Sequence, residues 1–180
     1  MSKRTVAAAL IAAGTLTLAS PALMNFIERW EGRENVAYAD RLARNLPTVC
    51  AGLTNHTSPV LVSVGDYWSD AQCEAVERMV VGKHQINLAD CLHVRVSQQT
   101  FDALSSHGHN FGVPSTCASR AVGLINAGRL REGCDALAHA PDGKTPVWSY
   151  VTLPGGRKEF VRGLYRRRLA ERDLCLSGTV

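Results

Sequence analysis

Apolar and charged positions divide the chain into an uncharged leader and a longer region in which the two are interleaved. Residues Thr5 to Met24 carry no charged side chain. Twenty residues in a helix span about 30 Å, which matches the apolar core of a bilayer. Seven of these twenty residues are Ala, so the run is only weakly hydrophobic. We predict a marginal membrane segment over residues 1–24 and one folded domain over residues 25–180.

Helical spacing dominates the predicted domain after a short β region. Apolar residues three apart before Gly32 predict a first helix. A capping box at 69–72 marks the start of a second helix, and Ser97 marks the start of a third. The predicted helices are 24–31, 73–84, 98–110, 118–127, 130–138 and 159–176, and the predicted strands are 47–50 and 60–64. This order predicts an α+β fold, mostly helical, with a small β lobe near the start.

Composition indicates an exported, disulfide-bonded protein. The chain has 180 residues, of which 46% are hydrophobic and 20% charged, which excludes a polytopic membrane protein and a disordered or fibrous chain. All six cysteines follow the leader and none forms a C-x-x-C pair, so we predict disulfides in an oxidising compartment. They are Cys50, Cys73, Cys91, Cys117, Cys134 and Cys175. Their pairing stays open at this point.

The leader itself has three interpretations on its residues alone. Lys3 and Arg4 precede the uncharged run, which favours insertion with the N-terminus in the cytoplasm. The run is then a signal peptide cleaved near Ser20-Pro21-Ala22, a permanent anchor, or a weak anchor that later leaves the membrane uncleaved. Each interpretation exports the domain.

Two carboxylates stand at the boundary between the first predicted helix and the β region. Glu31 ends the helix, and Asp40 follows nine residues later. Glycoside hydrolysis needs two carboxylates that face each other across a cleft, although this spacing is also typical of a solvated surface pair. His107 and His109 share one helical turn, but two histidines without a third ligand do not make a zinc site, so we predict no metal.

This region resembles the active-site segment of phage-type lysozymes, the endolysins of glycoside hydrolase family twenty-four. Three blocks occur in the family's order over residues 25–178. They are Glu31-Gly32 … Tyr38 … Asp40 … Thr48-Val-Cys-Ala-Gly52, then Asn110-Phe111-Gly112, then Leu153-Pro154-Gly155 with Arg166-Arg167-Arg168 and Leu174-Cys175-Leu176 downstream. One departure is the spacing, because seven residues separate Asp40 from Thr48 where the family has about five.

The resemblance implies a lysozyme-like fold and an N-acetylmuramidase that needs no cofactor. Such an enzyme cuts the β-1,4 bond between N-acetylmuramic acid and N-acetylglucosamine in peptidoglycan glycan strands. It implies Glu31 as general acid, Asp40 as the carboxylate that positions water or stabilises charge, and Thr48 as the residue that holds the nucleophilic water. His56 and Asn110 are candidate substrate contacts. The alternatives are a lytic transglycosylase and a non-enzymatic permeabilising protein.

The resemblance extends to the leader and to the basic C-terminal segment. Residues 5–24 are similar to a signal-arrest-release segment, which implies transient tethering to the host inner membrane and later release to the periplasm. Residues 157–173 carry seven basic and three acidic side chains. This segment is either attracted to an anionic wall or lipid, or is a solvated helix face. No motif supports nucleic-acid binding.

Overall fold

The computed structural model describes residues 6–41 and 44–178, and the chain forms two compact units. The small unit comprises residues 19–83, and the large unit comprises the described parts of 1–18 and 84–180. Lys3 and Arg4, on which the predicted membrane orientation depends, lie outside the described residues.

The helices and strands follow the α+β order that the sequence predicts, with a β region near the start and helices after it. The helices are α1 (Val6–Ala12), α2 (Pro21–Glu31), α3 (Asp70–Ala89), α4 (Gln98–Phe111), α5 (Val113–Cys117), α6 (Arg120–Asn126), α7 (Leu130–Asp135) and α8 (Arg162–Ser177). The strands are β1 (Glu34–Asp40), β2 (Leu46–Cys50), β3 (Leu53–Thr54), β4 (Tyr150–Thr152) and β5 (Lys158–Phe160).

Helix α2 has defined signals at both ends. The Ser20 side chain accepts a hydrogen bond from the Leu23 N–H at 3.1 Å, and Pro21 occupies the first turn, where a missing N–H costs nothing. Gly32 ends the helix at a φ of 73°, a conformation that glycine adopts without strain. The predicted helix is confirmed, and it begins three residues earlier than predicted because of this cap.

Strands β1, β2 and β3 form one antiparallel sheet in that order. The β1–β2 register shifts between Glu34 and Tyr38, so part of β1 bulges away from β2. The bulged backbone bonds instead to the loop before α3, with the Ala37 N–H donating to the Asp66 carbonyl and the Trp68 N–H to the Asn35 carbonyl, both at 2.8 Å. The bulge therefore attaches this loop to the sheet.

The strand predicted over 60–64 is wrong. Side chains take the backbone hydrogen bonds that a neighbouring strand would need, because the Asn55 amide bonds both the N–H and the carbonyl of Val62, at 2.7 and 2.9 Å. Ser58 does the same for Val60. The apolar run is a loop held by polar side chains, and only Val62 within it is buried.

The predicted capping box before α3 is confirmed. The Ser69 N–H donates to Gln72 Oε1 at 2.9 Å, and the Gln72 N–H donates to Ser69 Oγ at 3.3 Å. A disulfide joins Cys73, on the first turn of α3, to Cys50 at the end of β2. The helix continues to Ala89, beyond the predicted end at residue 84.

Three predicted helices of the large unit have different bounds. The helix predicted over 118–127 is α6, which is shorter at both ends, because Ser119 caps its start by accepting from the Val122 N–H. The helix predicted over 130–138 ends at Asp135. The final helix starts at Arg162 rather than at residue 159, because Lys158–Phe160 pairs with β4. Disulfides in this unit join Cys91 to Cys117 and Cys134 to Cys175.

The N-terminal segment packs within the large unit. Helix α1 ends at Ala12, and after Gly14, with a φ of 71°, the N–H groups of Thr15 and Leu16 both bond to the Leu10 carbonyl. Ala7, Leu10 and Leu16 are buried in the main apolar core. The uncharged run is thus split between α1 and α2 rather than forming one helix. None of the described helices combines the length and apolar composition needed to cross a membrane.

A buried polar cluster lies between α4 and α8. Glu171 accepts hydrogen bonds from Arg168 Nη2 and from Ser106 Oγ, both at 2.7 Å, and Arg167 Nε approaches it at 3.4 Å. Arg168 also lies over the Phe111 ring, 4.7 Å from its centroid. Two of the seven basic residues in the 157–173 segment are therefore buried and paired with a carboxylate rather than presented to an anionic surface.

His107 lies in the same core, and we expect it to make the protein sensitive to acid. Burial and the charges of Arg168 and Arg167 lower its pKa from 6.5 to about 3. The folded state therefore disfavours the protonated ring, so stability is lost as the pH falls from 6.5 towards 3. Between pH 6.5 and 4, wild type should lose up to about 3 kcal/mol more unfolding free energy than His107→Gln. Denaturant unfolding at several pH values measures this difference.

The matched control for that measurement is the exposed His93→Gln. We expect it to unfold like wild type at each pH, because substitution of an exposed side chain changes stability little. Identical pH slopes for wild type and His107→Gln would contradict the assignment of acid sensitivity to His107.

Candidate active site

Four of the five candidate site residues lie in the small unit. Glu31 ends α2, Asp40 ends β1, Thr48 lies in β2, and His56 lies in the turn after β3. Asn110 lies in the last turn of α4, in the large unit. The small unit thus carries all three residues with predicted catalytic roles.

The register of β1 and β2 brings Asp40 and Thr48 to the same face of the sheet. Asp40 pairs with Leu46 and Tyr38 pairs with Thr48, so the carboxylate and the hydroxyl are diagonal neighbours. Diagonal neighbours on antiparallel strands have α-carbons about 7–8 Å apart, close enough for one water to contact both side chains. Between the two strands, the Asn45 N–H donates to the Asp40 carbonyl at 2.7 Å.

Thr48 is oriented by its own strand. The residue is buried, and its hydroxyl donates to the Leu46 carbonyl at 3.0 Å. Its oxygen lone pairs then face away from that carbonyl and are suited to accept a hydrogen bond. Tyr38, opposite Thr48, keeps its phenolic proton, because burial and the Asp40 and Glu34 carboxylates raise its pKa.

Glu31 is presented to solvent by the end of α2. Ile27, one turn earlier, is buried in a small apolar cluster with Leu23 and Val81, so the helix is anchored just before its end, where Glu31 is exposed. Gly32 then turns the chain directly into Arg33 and β1. Glu31 therefore stands at the end of a packed helix, immediately before a sharp turn.

Arg33 was not among the residues that the sequence singled out, and it is the centre of an ion cluster. Its guanidinium lies 3.2 Å from Glu28, 3.7 Å from Asp70 and 3.4 Å from Glu77. The sequence offers no local signal for this cluster, since the partners are separated by up to 44 residues. The cluster connects the turn after Glu31 with α3.

The two candidate substrate contacts differ in their surroundings. His56 is exposed, and its backbone N–H bonds to the Thr54 hydroxyl at 3.3 Å. Asn110 is half-buried, and its Oδ1 has no hydrogen-bond partner among the described residues. An amide oxygen of this kind is able to accept a hydrogen bond from a ligand.

The small unit also contains a pocket of about 350 Å³. It is lined by loop 60–68 and by α3, including Tyr67, Trp68 and Val76, and by none of the candidate catalytic residues. Histidine, cysteine and carboxylate side chains in the described ranges form no group of three or more suited to a metal ion.

Most glycoside hydrolases use two carboxylates that flank the scissile bond, and the small unit holds Glu31 and Asp40 as the candidates for this pair. The family model for phage lysozyme matches residues 28–171. The chain is 32% identical to a SAR-endolysin of Pseudomonas phage phiKMV over 146 residues, and this aligned region covers 81% of each protein. It is 28% identical over 180 residues to a SAR-endolysin of Enterobacteria phage PA-2, covering 98% of this chain and 97% of the relative.

A solved structure agrees with these sequence matches. The endolysin of Escherichia coli O157:H7 phage FAHEc1 superposes with a TM-score of 0.76 at 27% identity, over 92% of this chain and 96% of that one. The chain belongs to the phage lysozyme family. It is a peptidoglycan-hydrolysing endolysin and a glycoside hydrolase of the lysozyme type, as the resemblance in the sequence predicts.

Proposed function

We propose that the enzyme hydrolyses the β-1,4 bond between N-acetylmuramic acid and N-acetylglucosamine. Glu31 donates a proton to the leaving glycosidic oxygen, while Asp40 and Thr48 hold the attacking water. The observation that carries the proposal is the β1–β2 register, which supports a shared water site for Asp40 and Thr48 on one sheet face. The exposed position of Glu31 in the same unit supports its role as the acid.

Thr48 supplies the acceptor half of that water site. The Thr48 hydroxyl donates its hydrogen bond to the Leu46 carbonyl, so its oxygen is left to accept a hydrogen bond from the water. This hydrogen bond orients the water oxygen for attack. Asp40 accepts a hydrogen bond from the other hydrogen of the water, takes that proton as the water attacks, and stabilises positive charge on the sugar as the glycosidic bond breaks. His56 and the Oδ1 atom of Asn110 are proposed as contacts to the sugar chain.

A lytic transglycosylase is the second candidate, since it also needs one acid. It forms an anhydro sugar by internal attack and therefore needs no bound water. The paired positions of Asp40 and Thr48 favour the hydrolase, because a carboxylate and an accepting hydroxyl on one face serve a water molecule.

Purified sacculi free of lipid test the enzymatic proposal against membrane permeabilisation. The protein should clear them and release soluble fragments with new reducing ends, because its substrate is the glycan itself. A protein that acts through its basic surface on membranes would leave such sacculi intact. Burial of Arg167 and Arg168 against Glu171 also favours the enzymatic role, since these charges are not presented to a membrane.

We further propose that residues 1–24 are a releasable membrane tether and that residues 25–180 are the muramidase domain. The tether first holds the protein at the host inner membrane, and its release then frees the protein into the periplasm. Burial of Ala7, Leu10 and Leu16 in the apolar core supports a place for the segment after it leaves the bilayer. The weak hydrophobicity of an Ala-rich run supports its release.

Raising the hydrophobicity of exposed leader positions should block release. Ala9, Ala12 and Ala13 are exposed, so Leu at these positions leaves the buried contacts of the segment in place. Gly14 is unsuitable for this change, because its φ of 71° strains any other residue. We expect the triple Leu variant to stay in the membrane fraction and host cells to lyse much later than with wild type.

The same triple variant, extracted in detergent and tested on purified sacculi, is the control for folding. It should cleave them at close to the wild-type rate. A tethered variant that lyses cells as fast as wild type would contradict the tether proposal.

A further inference from the structure

Glu77 is a buried carboxylate whose two oxygens contact two different segments of the small unit. Its Oε1 accepts a hydrogen bond from the Ala51 backbone N–H at 2.8 Å. Its Oε2 lies 3.4 Å from Nη2 of Arg33. The side chain is only 8% exposed, so both interactions are shielded from water.

The Arg33 interaction fixes the turn that follows Glu31. Arg33 is two residues beyond Glu31, after the Gly32 turn, and its Nε lies 3.2 Å from Glu28, one turn back in α2. The guanidinium therefore bridges α2 to Glu77 on α3. Any change in the Arg33 position shifts the end of α2, where Glu31 is carried.

The Ala51 interaction fixes the end of the strand that carries Thr48. Ala51 is buried and follows Cys50, which has a φ of 58° and forms the disulfide to Cys73. Cys73 lies one helical turn before Glu77, so the strand end is held at two adjacent points of α3. Position and direction of β2 are both defined by this pair of attachments.

We propose that Glu77 is a positioning residue for the glycosidase reaction, because its carboxylate sets the turn after Glu31 against the strand of Thr48. This inference rests on the proposed roles of Glu31 and Thr48. Proton donor and water must stand on opposite sides of one bond, so small errors in their relative position slow the reaction strongly.

The chemistry of the position is suited to this role. Burial raises the pKa of Glu77, whereas the hydrogen bond from the Ala51 N–H and the charge of Arg33 lower it. A side chain needed only to fill the space would be apolar, since burying a carboxylate costs free energy. A carboxylate, in contrast, accepts from two donors that lie in different directions.

The test is the variant Glu77→Gln on purified peptidoglycan. The amide oxygen still accepts from Ala51, but the amide NH₂ then faces the Arg33 donor and the bridge is lost. We expect kcat to fall by about 10- to 100-fold while KM stays within about two-fold. A purely structural role would lower the folded fraction and leave kcat per folded molecule unchanged, so kcat is normalised to the folded fraction measured by circular dichroism.

Three further variants complete the test. Glu74→Gln is the matched control, because Glu74 lies one turn earlier on α3, is exposed and pairs with Arg78; it should keep the wild-type kcat. Arg33→Met should lose as much kcat as Glu77→Gln, and the double variant should be no worse than either single one. If Glu77→Gln does not fold, the kcat of Arg33→Met decides alone.

Glu31→Gln separates this inference from the proposed function. An inactive Glu31→Gln together with a wild-type kcat in Glu77→Gln would overturn the positioning role and leave the proposed acid in place. An active Glu31→Gln would instead overturn the proposed function, whatever the result at Glu77.

Discussion

Glu31→Gln should reduce the rate of peptidoglycan cleavage by about 1,000-fold or more. General acid catalysis contributes about 10²- to 10⁴-fold, and the amide has the shape of the carboxyl group without a proton to transfer. Glu31 is an exposed side chain at the end of α2, and the apolar contacts of this helix come from Leu23, Met24 and Ile27, so the change should leave the fold and the unfolding temperature close to wild type. Loss of turbidity of purified sacculi gives the rate.

The matched control is Glu34→Gln, three residues further along and also exposed. It removes the same charge from the start of β1, so it shows whether net charge alone affects binding to the anionic wall. We expect activity within about two-fold of wild type, since exposed charges contribute little. A Glu31→Gln protein that keeps more than a tenth of the wild-type rate would contradict the assignment of Glu31 as the acid.

The second large effect concerns stability rather than rate. Glu171→Gln should lower the free energy of unfolding by about 3–5 kcal/mol, because it leaves the buried guanidinium groups of Arg167 and Arg168 without their carboxylate. Neither arginine can shed its charge, and their surroundings keep water out. Denaturant unfolding at neutral pH measures the loss.

A surface ion pair supplies the comparison for that loss. Arg129 and Glu132 pair at the start of α7 with side chains more than half exposed, so Glu132→Gln should change stability by less than about 1 kcal/mol. If the free energy of unfolding of Glu171→Gln lies within about 1 kcal/mol of the wild-type value, the predicted contribution of the buried cluster is wrong. The pair of variants therefore tests burial, not charge alone.

Three local signals in the sequence correctly marked helix ends. Ser97, the Ser69–Gln72 capping box and Gly32 each act through hydrogen bonds or backbone angles of their own neighbours, so their effect can be predicted without the rest of the fold. The strand predicted over 60–64 failed because Asn55 and Ser58 compete for its backbone, which an apolar run does not reveal.

Features set by distant residues could not be predicted from the pattern. The three disulfide pairings depend on which elements meet, and the ion cluster of Arg33 and Glu77 joins residues 44 positions apart. Glu77 stands between buried Val76 and Val80 with no local sign of its role. The roles of Glu31, Asp40 and Thr48 were predicted from a resemblance to a family, and the register of β1 and β2 shows that Asp40 and Thr48 share one face of the sheet despite their longer spacing.

The most direct measurement of the central claim is digestion of purified peptidoglycan in water enriched in oxygen-18, followed by mass spectrometry of the released muropeptides. If water attacks the sugar, as the proposed hydrolysis requires, each newly formed N-acetylmuramic acid end should carry one heavy oxygen. Unlabelled anhydromuramic ends would contradict hydrolysis and identify a transglycosylase that uses Glu31 without a water.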